Sequence, residues 1–196
     1  ASMSDFIGRK PTYFIFFSLG ILLYLSIPFT AKAMSIDPIV TYLILFYAAS
    51  MVIFTMYGGG FATIPAYLAD IFGTKYVGGI HGRLLTAWST AGVLGPVAIT
   101  QLRQNSVDSA INDLVSKISP EKFTEIYGAS VENLSLLVQE KTVTISNLMP
   151  HMPEGTINPS TTLYNSTMFA MAGLLAIAFV ANLLIGPVNE KHHMKE

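Results

Sequence analysis

The stretch that decides the fold lies near the start of the chain. It reads SDFIGRK over residues 4–10 and continues as PTYFIFFSLGILLYLSIPFTA over residues 11–31, which carry no charge. About 20 apolar residues in helical conformation cross the hydrocarbon core of a bilayer, so a transmembrane helix is predicted at 11–29. A compact charged turn directly before such a helix is typical of a loop between two consecutive spans.

The composition is that of a membrane protein. Of the 196 residues, 52% are hydrophobic and 12% are charged, whereas an average soluble domain has about 25% charged residues. The net charge of −1 argues against nucleic acid or another polyanion as a partner. The chain has no cysteine, which excludes disulfides, thiol catalysis and metals held by cysteine. Because it begins at Ala1 and no signal peptide precedes the first apolar run, we expect a piece of a longer protein.

Three further apolar runs, at 38–69, 78–102 and 163–187, predict an all-α membrane protein with four transmembrane helices. The run 38–69 has 32 residues, which is more than a straight span needs. It contains Gly58, Gly59, Gly60 and Pro65, and helices bend at these residue types. We therefore expect the second helix to be bent or broken in its inner half.

The distribution of lysine and arginine predicts the orientation of these helices. Six such residues lie in segments 1–10, 70–83 and 188–196, and the short loop after the first span has only Lys32. Both termini, including a tail at 188–196, are therefore expected in the cytoplasm. The sequence does not identify which membrane this is.

The long segment 103–162 is then expected on the non-cytoplasmic side, as a folded helical loop. Apolar residues recur at helical spacing over 107–118, which predicts an amphipathic helix outside the bilayer. Two roles stay open for this loop: decoration of the membrane protein, or a gate for a ligand.

Cap signals predict two more helices in the same loop. Ser119 followed by Pro120 is typical of an N-cap and a first helical position, and Gly128 marks the end of that helix. Ser130 is expected to cap a third helix over 131–146.

Two stretches and the turn resemble a known family. Residues 58–73 read GGGFATIPAYLADIFG, and residues 81–96 read HGRLLTAWSTAGVLGP. Asp5, Gly8 and Arg9 resemble the core of the D-x-x-G-R-K signature loop of the major facilitator superfamily. Within that superfamily, the chain resembles the last third of the oxalate:formate antiporter family. The resemblance implies a partial C-terminal domain, with four helices that correspond to the ninth to twelfth of twelve.

The same resemblance implies a function. It implies secondary active transport of a carboxylate by alternating access, as an antiporter or a proton symporter, in the lipid bilayer and together with a missing N-terminal half. Family members that exchange dicarboxylates are expected to present a basic side chain from inside the eleventh helix. Between Arg83 and Arg103 this chain has no lysine, arginine or histidine. We therefore expect a monocarboxylate or another small organic anion, with a coupling proton as a further partner.

The predicted third helix carries the candidates for a substrate path. At 100° per residue, His81 and Trp88 share one face, and Thr86 and Ser89 lie to one side of it. Trp88 lies several residues inside the apolar run, so it can form a cavity wall, although packing between helices explains it equally well. His81 can relay a proton or be an ordinary interface histidine.

Charged residues near the predicted cytoplasmic face are candidates for a gate. Asp5 can cap or pair with a helix end, Gly8 permits a tight turn, and Arg9 can pair with Asp70. Arg83 flanks the same inner loop. The competing interpretation is ordinary charge at a membrane edge.

Two stripes of small residues predict close helix packing in lipid. Each stripe repeats every four residues, and their members are Gly58, Ala62 and Ala66, and Ala87, Ala91 and Gly95. We expect both stripes to pack against neighbouring helices.

No pattern for catalysis, a metal site or a cofactor appears inside a span, so the chain is not expected to be an enzyme. The alternative to a transporter is a non-transporting membrane receptor or scaffold that uses the outer loop to bind a partner. An enzyme embedded in the membrane is a third class, which catalytic polar residues in upstream helices would favour.

Overall fold

The computed structural model describes residues 2–186, and all regular secondary structure in that range is helical. The end of the last predicted span, Pro187, and the predicted tail 188–196 lie outside the described residues. The α-helices are α1 (Ser2–Ile7), α2 (Arg9–Ile36), α3 (Val40–Phe72), α4 (Val77–Val115), α5 (Pro120–Tyr127), α6 (Leu134–Gln139), α7 (Ile145–Leu148) and α8 (Asn165–Leu184). Short 3₁₀ helices lie at Val131–Asn133, Met149–His151 and Pro159–Thr162.

Three helices are long and apolar enough to cross a membrane. They are α2, α3 and the segment Pro159–Leu184, which contains α8. The prediction of an all-α chain is therefore confirmed, and the three helices are compatible with a membrane protein. The predicted third span, 78–102, is helical, but it is not among the three. Its composition explains why, because His81, Arg83 and several hydroxyl side chains interrupt its apolar residues.

The second helix is not broken, whereas its bend near Gly58–Pro65 stays a prediction. Helix α3 runs without interruption through Gly58–Gly60 and Pro65. Pro65 has no N–H to donate to the Phe61 carbonyl, yet the helix continues on both sides. In a bilayer, a broken helix would leave several backbone groups without any partner, which is more costly than one missing hydrogen bond.

The predicted break between the third span and the amphipathic helix at 107–118 is also absent. Helix α4 is a single helix of 39 residues, about 58 Å long at 1.5 Å per residue. No glycine or proline lies between Gln101 and Val115. Side chains support the junction: the Gln101 amide donates to Asn105 Oδ1 at 2.9 Å, and the Gln104 amide donates to Asp108 Oδ1 at 2.8 Å. Helix α4 therefore extends from the apolar bundle into the outer loop.

Helix α2 lies at the centre of the bundle, between α3 and α8. Phe14 of α2 packs on Phe179 of α8, with ring centroids 4.9 Å apart. Gly20 permits a close approach between the same helices, because a Cβ atom there would lie 2.9 Å from Leu175 Cδ1. On the α3 side, the Tyr13 ring stacks on Tyr67 at 5.4 Å.

Both predicted packing stripes have members that lack the expected contact with a neighbouring helix. A Cβ atom added at Gly58 or Gly95 would have no neighbour within 4 Å, and Ala91 is exposed. The packed face of α3 is rotated by one residue, since Gly59 approaches the Phe16 ring and Thr63 is buried. The spacing of small residues identifies the helix faces that allow close packing. The position of the neighbouring helix determines which of these faces is in contact.

Residues 103–163 form a cap with a core of its own at one end of the bundle. The apolar face of α4 beyond Arg103 packs against α5, α6 and α7, and Phe123 and Leu148 are completely buried. Tyr127 packs on Phe123, with ring centroids 4.9 Å apart, and donates to Asn147 Oδ1 at 3.3 Å. Burial raises the pKa of the Tyr127 phenol above its usual value. The cap is thus a folded unit.

The predicted caps of its second helix are confirmed. The Ser119 hydroxyl accepts a hydrogen bond from the Lys122 amide, Pro120 is the first helical residue, and Gly128 ends α5 in the left-handed conformation. Ser130 also caps as expected, although it caps a 3₁₀ helix.

The predicted helix over 131–146 is wrong in its second half. Helix α6 ends at Gln139, and Lys141 turns the chain with a φ of 58°. A capping box between Thr144 and Asn147 then starts α7. The turn between the two helices inserts Val143, which is 1% exposed, into the cap core.

The close approach at Gly20 generates a test of the bundle. Gly20→Val should lower the free energy of unfolding by about 1–3 kcal/mol, because a branched side chain would displace the Leu175 side chain from its packed position between α2 and α8. The matched control is Gly173→Val on α8, where an added Cβ atom has no neighbour within 4 Å. Thermal unfolding in detergent measures both variants. Equal unfolding temperatures would contradict the close packing at Gly20.

Candidate functional site

One end of the bundle collects the beginning of α2 and the ends of α3 and α8. Lys10 Nζ donates to the carbonyl oxygens of Leu183, at 2.9 Å, and Ile185, at 2.6 Å. At the other end of α2, Ser35 contacts Thr161, which leads from the cap into α8. The cap and the charged turn therefore lie at opposite ends of the bundle.

Arg9 organises the charged end. Its Nε atom lies 3.4 Å from Asp70 Oδ2, and its Nη1 atom contacts Asp5 and donates to Ser4 Oγ at 2.8 Å. The predicted proximity of Arg9 and Asp70 is thus observed, as an ion pair without a hydrogen bond from Nε. Both carboxylates are about 60% exposed, so each pair contributes only about 0–1 kcal/mol. Gly8, with a φ of 89°, makes the turn that directs Arg9 toward Asp70.

Arg83, the fifth residue predicted for the gate, makes no ion pair with any residue that the structure describes. Its side chain is exposed, and its carbonyl accepts a hydrogen bond from the Thr86 hydroxyl at 2.6 Å. Among the described residues, the ion pairs at this end therefore join Asp5, Arg9 and Asp70.

A buried amide connects the three apolar helices next to this end. Asn182 of α8 is 4% exposed. Its Oδ1 atom accepts a hydrogen bond from the Tyr67 hydroxyl of α3 at 3.1 Å, and its Nδ2 atom donates to the Lys10 carbonyl of α2 at 3.2 Å. The Tyr13 hydroxyl then donates to the Gly60 carbonyl at 2.6 Å. These bonds fix the rotation of each helix relative to the other two.

A cavity of about 430 Å³ lies between α2, α3 and α4. Aromatic side chains make up much of its wall, among them Phe16 and Phe17 of α2 and Phe61 of α3. Small-molecule sites usually have this character, with apolar walls and a few polar groups that orient the ligand. No lysine or arginine of the described chain is among the lining residues.

Trp88 and His81 supply polar groups to this cavity from α4. The Trp88 indole N–H donates to the Tyr57 hydroxyl at 3.2 Å, and its ring meets Phe61 edge-on at 5.8 Å. His81 Nδ1 is buried and has no hydrogen-bond partner among the described residues. An unpaired buried nitrogen is costly, so it is a natural contact for a polar ligand.

The other two predicted substrate-path residues point elsewhere. Thr86 bonds to its own helix, and neither Thr86 nor Ser89 lines the cavity. This follows from the helical geometry, because both lie to one side of the face shared by His81 and Trp88.

Several residues of this region were not predicted from the sequence. They are Lys10, Tyr13, Tyr57, Tyr67 and Asn182. Only Asn182 had a readable signal, since a lone amide in an otherwise apolar run is uncommon and usually has a partner. The tyrosines gave no such signal in the sequence, because tyrosine is common in membrane helices.

Comparisons of the chain with protein family models, with curated proteins and with solved structures find no match in any of the three. The function is therefore inferred from the residues and the geometry alone.

The buried amide generates a second test. Asn182→Leu preserves the size of the side chain but leaves the Tyr67 hydroxyl without its acceptor, which should cost about 1–3 kcal/mol of stability. Asn133→Leu, at an exposed position of the cap, is the matched control. Thermal unfolding in detergent is the measurement. If Asn182→Leu unfolds at or above the wild-type temperature, the amide does not hold the helices together.

Proposed function

We propose that the chain is the C-terminal part of a secondary active transporter. It moves a small organic anion, a carboxylate, by alternating access, as an antiporter or a proton symporter. The observation that supports this most is the aromatic cavity between α2, α3 and α4, into which His81 and Trp88 project from one face of α4.

The donors of the cavity suit a carboxylate that has to be released again. The Tyr57 hydroxyl and the Trp88 indole N–H already contact each other, and both can donate to an entering oxygen. The lining residues include no lysine or arginine of the described chain, and His81 is the histidine among them. Histidine can bind and release a proton, so His81 offers a route for coupling to a proton. A monocarboxylate fits a cavity without a fixed cation better than a dicarboxylate does.

The ion pairs of Arg9 suit a gate. Exposed pairs contribute little stability, so they can form and break as a transporter changes state without a large barrier. In the proposed orientation, this end of the bundle faces the cytoplasm and the cap faces the opposite side. The upstream half of the protein would supply the other wall of the substrate path, as in carriers built from two related domains.

A second candidate function is favoured by the separate core of the cap. A non-transporting receptor or scaffold would use this folded unit to bind a partner outside the membrane. Such a protein would retain partner binding and would move no anion across the bilayer.

The substrate assignment is tested in the full-length protein with paired variants. Trp88→Phe and Tyr57→Phe each keep an aromatic ring and remove one donor, so uptake of the cognate carboxylate should weaken by about tenfold. Tyr47→Phe makes the same change on α3 at a residue that does not line the cavity, and it should leave uptake unchanged. Uptake is measured in proteoliposomes at matched protein content. Unchanged uptake in both cavity variants would exclude this cavity from the substrate path.

The gate assignment is tested by Arg9→Ala. Removal of this guanidinium deletes the contacts to both Asp5 and Asp70, and it should change the balance of inward-facing and outward-facing states while membrane expression stays largely intact. The readout is the ratio of influx to efflux rates in proteoliposomes. Arg83→Ala removes a cation without an ion pair in the described chain and serves as the control. The gate assignment fails if the two variants have the same transport kinetics.

A further inference from the structure

The cap contains a second and larger cavity, which we call the cap groove. It lies between the outer part of α4, from Arg103 to Asn112, and the segment from α6 to α7, and its volume is about 930 Å³. Sites for small molecules commonly measure about 300–1,000 Å³. The groove is about 29 Å from Trp88 along α4, counted from Trp88 to Val107 at 1.5 Å per residue. It is therefore separate from the aromatic cavity.

The floor of the cap groove is apolar and firmly held. Ile111, Val143 and Ile145 line its base and belong to the cap core, with exposures of 2%, 1% and 7%, so they have almost no surface free for a ligand. Val107, Leu134 and Val138 also line the groove and are only partly buried. These three side chains can cover the hydrocarbon part of a ligand without rearrangement of the core.

The rim of the groove is cationic although the cap as a whole is acidic. Segment 103–162 has four lysine and arginine residues against seven acids. Two of those four cations, Arg103 and Lys141, line the groove, and Asp108 is the single acid that does. Asp108 already accepts a hydrogen bond from Gln104 at 2.8 Å. The charge of the groove is thus opposite in sign to that of its surroundings.

Neither rim cation is neutralised by the described part of the chain. Arg103 and Lys141 form no ion pair there, and the Arg103 guanidinium lies over the Tyr164 ring, 5.8 Å from its centroid. A guanidinium over the face of a ring makes no hydrogen bond to it, so its N–H donors stay free for an anion. Ser135 and Ser146 add hydroxyl groups to the same rim.

Lys141 occupies a backbone conformation that normally favours glycine. Its φ is 58°, which costs a lysine roughly 1 kcal/mol relative to glycine. Glycine would adopt this backbone conformation after α6 at a lower free-energy cost. What lysine adds at position 141 is its ammonium group. Lys141→Gly consequently separates charge from stability, because it removes the cation and relieves the backbone.

We propose that the cap groove binds a small organic carboxylate with an apolar body. Arg103 and Lys141 bind the carboxylate, and Val107, Leu134 and Val138 contact the body. This site goes beyond the proposed transport function and does not depend on it, because it lies outside the apolar bundle and uses no residue of the aromatic cavity.

The test measures binding to the whole chain in nanodiscs by isothermal titration calorimetry. The probe is 3-phenylpropanoate, which combines a carboxylate with an apolar body. Its uncharged amide lacks the charge, acetate lacks the body, and inorganic phosphate lacks both the carboxylate and the body. We expect saturable binding of the probe and at least about tenfold weaker binding of the other three compounds. Absence of saturable binding, or equal binding of the amide, would overturn the proposal.

Variants then assign the binding to the groove. Arg103→Gln and Lys141→Gly should each weaken binding of 3-phenylpropanoate by about tenfold, and Lys141→Gly should leave the protease resistance of the cap at least as high as in wild type. Lys122→Gln removes a cation of α5 outside the groove and should change nothing. If Lys122→Gln weakens binding as much as the groove variants, or if neither groove variant weakens it, the site is not the cap groove.

Trp88→Phe separates this proposal from the transport function. Binding that survives in Trp88→Phe and disappears in Arg103→Gln belongs to the cap groove, whatever the transport assays give. Binding that is lost in Trp88→Phe and kept in Arg103→Gln belongs to the aromatic cavity, and the proposal for the cap groove is then wrong.

Discussion

The hydrogen bonds of the Asn182 amide are the constraint on which the bundle depends. An amide buried among apolar helices has no water to bond, so its partners must come from the protein. Its Oδ1 atom accepts a hydrogen bond from the Tyr67 hydroxyl, and its Nδ2 atom donates one to the Lys10 carbonyl. Both bonds can form in only one rotation of α8 against α2 and α3. Apolar packing alone would not select that rotation, since lipid is as apolar as leucine. Tyr13 and Gly60, which are joined by a hydrogen bond next to this amide, both line the aromatic cavity.

Helix α4 is held differently from the other long helices. Its outer part is fixed in the cap core through Ile111 and Leu114, which are 2% and 1% exposed. In the part away from the cap, Trp88 contacts Phe61 of α3, and Val93 is 69% exposed. A helix that is firmly packed at one end and more exposed at the other is suited to small rotations about the packed end. Trp88 and His81 lie on the part away from the cap.

The apolar runs and the cap residues could be read from the sequence, because length, charge and capping chemistry are local properties. Ser119, Pro120 and Gly128 therefore mark α5 correctly, and opposite charge at one membrane face was enough to pair Arg9 with Asp70. The packed faces could not be read. Several faces of α3 carry small residues, and the choice of the face with Gly59 depends on where Phe16 lies in another helix. The continuity of α4 was missed for a similar reason, since a change from apolar to amphipathic composition does not by itself end a helix.

The two cavities offer an anion different kinds of contact. A lysine or arginine inside the bundle would carry a large desolvation cost unless it were paired, and it would hold an anion tightly. The aromatic cavity has instead neutral donors and one histidine, which bind weakly enough for release. The cap groove lies outside the apolar bundle, and Arg103 and Lys141 are exposed at its rim. If both proposals hold, an anion meets full positive charge outside the bundle and neutral hydrogen-bond donors within it. The cations of the cap groove then attract the anion at a place where water still competes for it, and the aromatic cavity selects the anion by its shape.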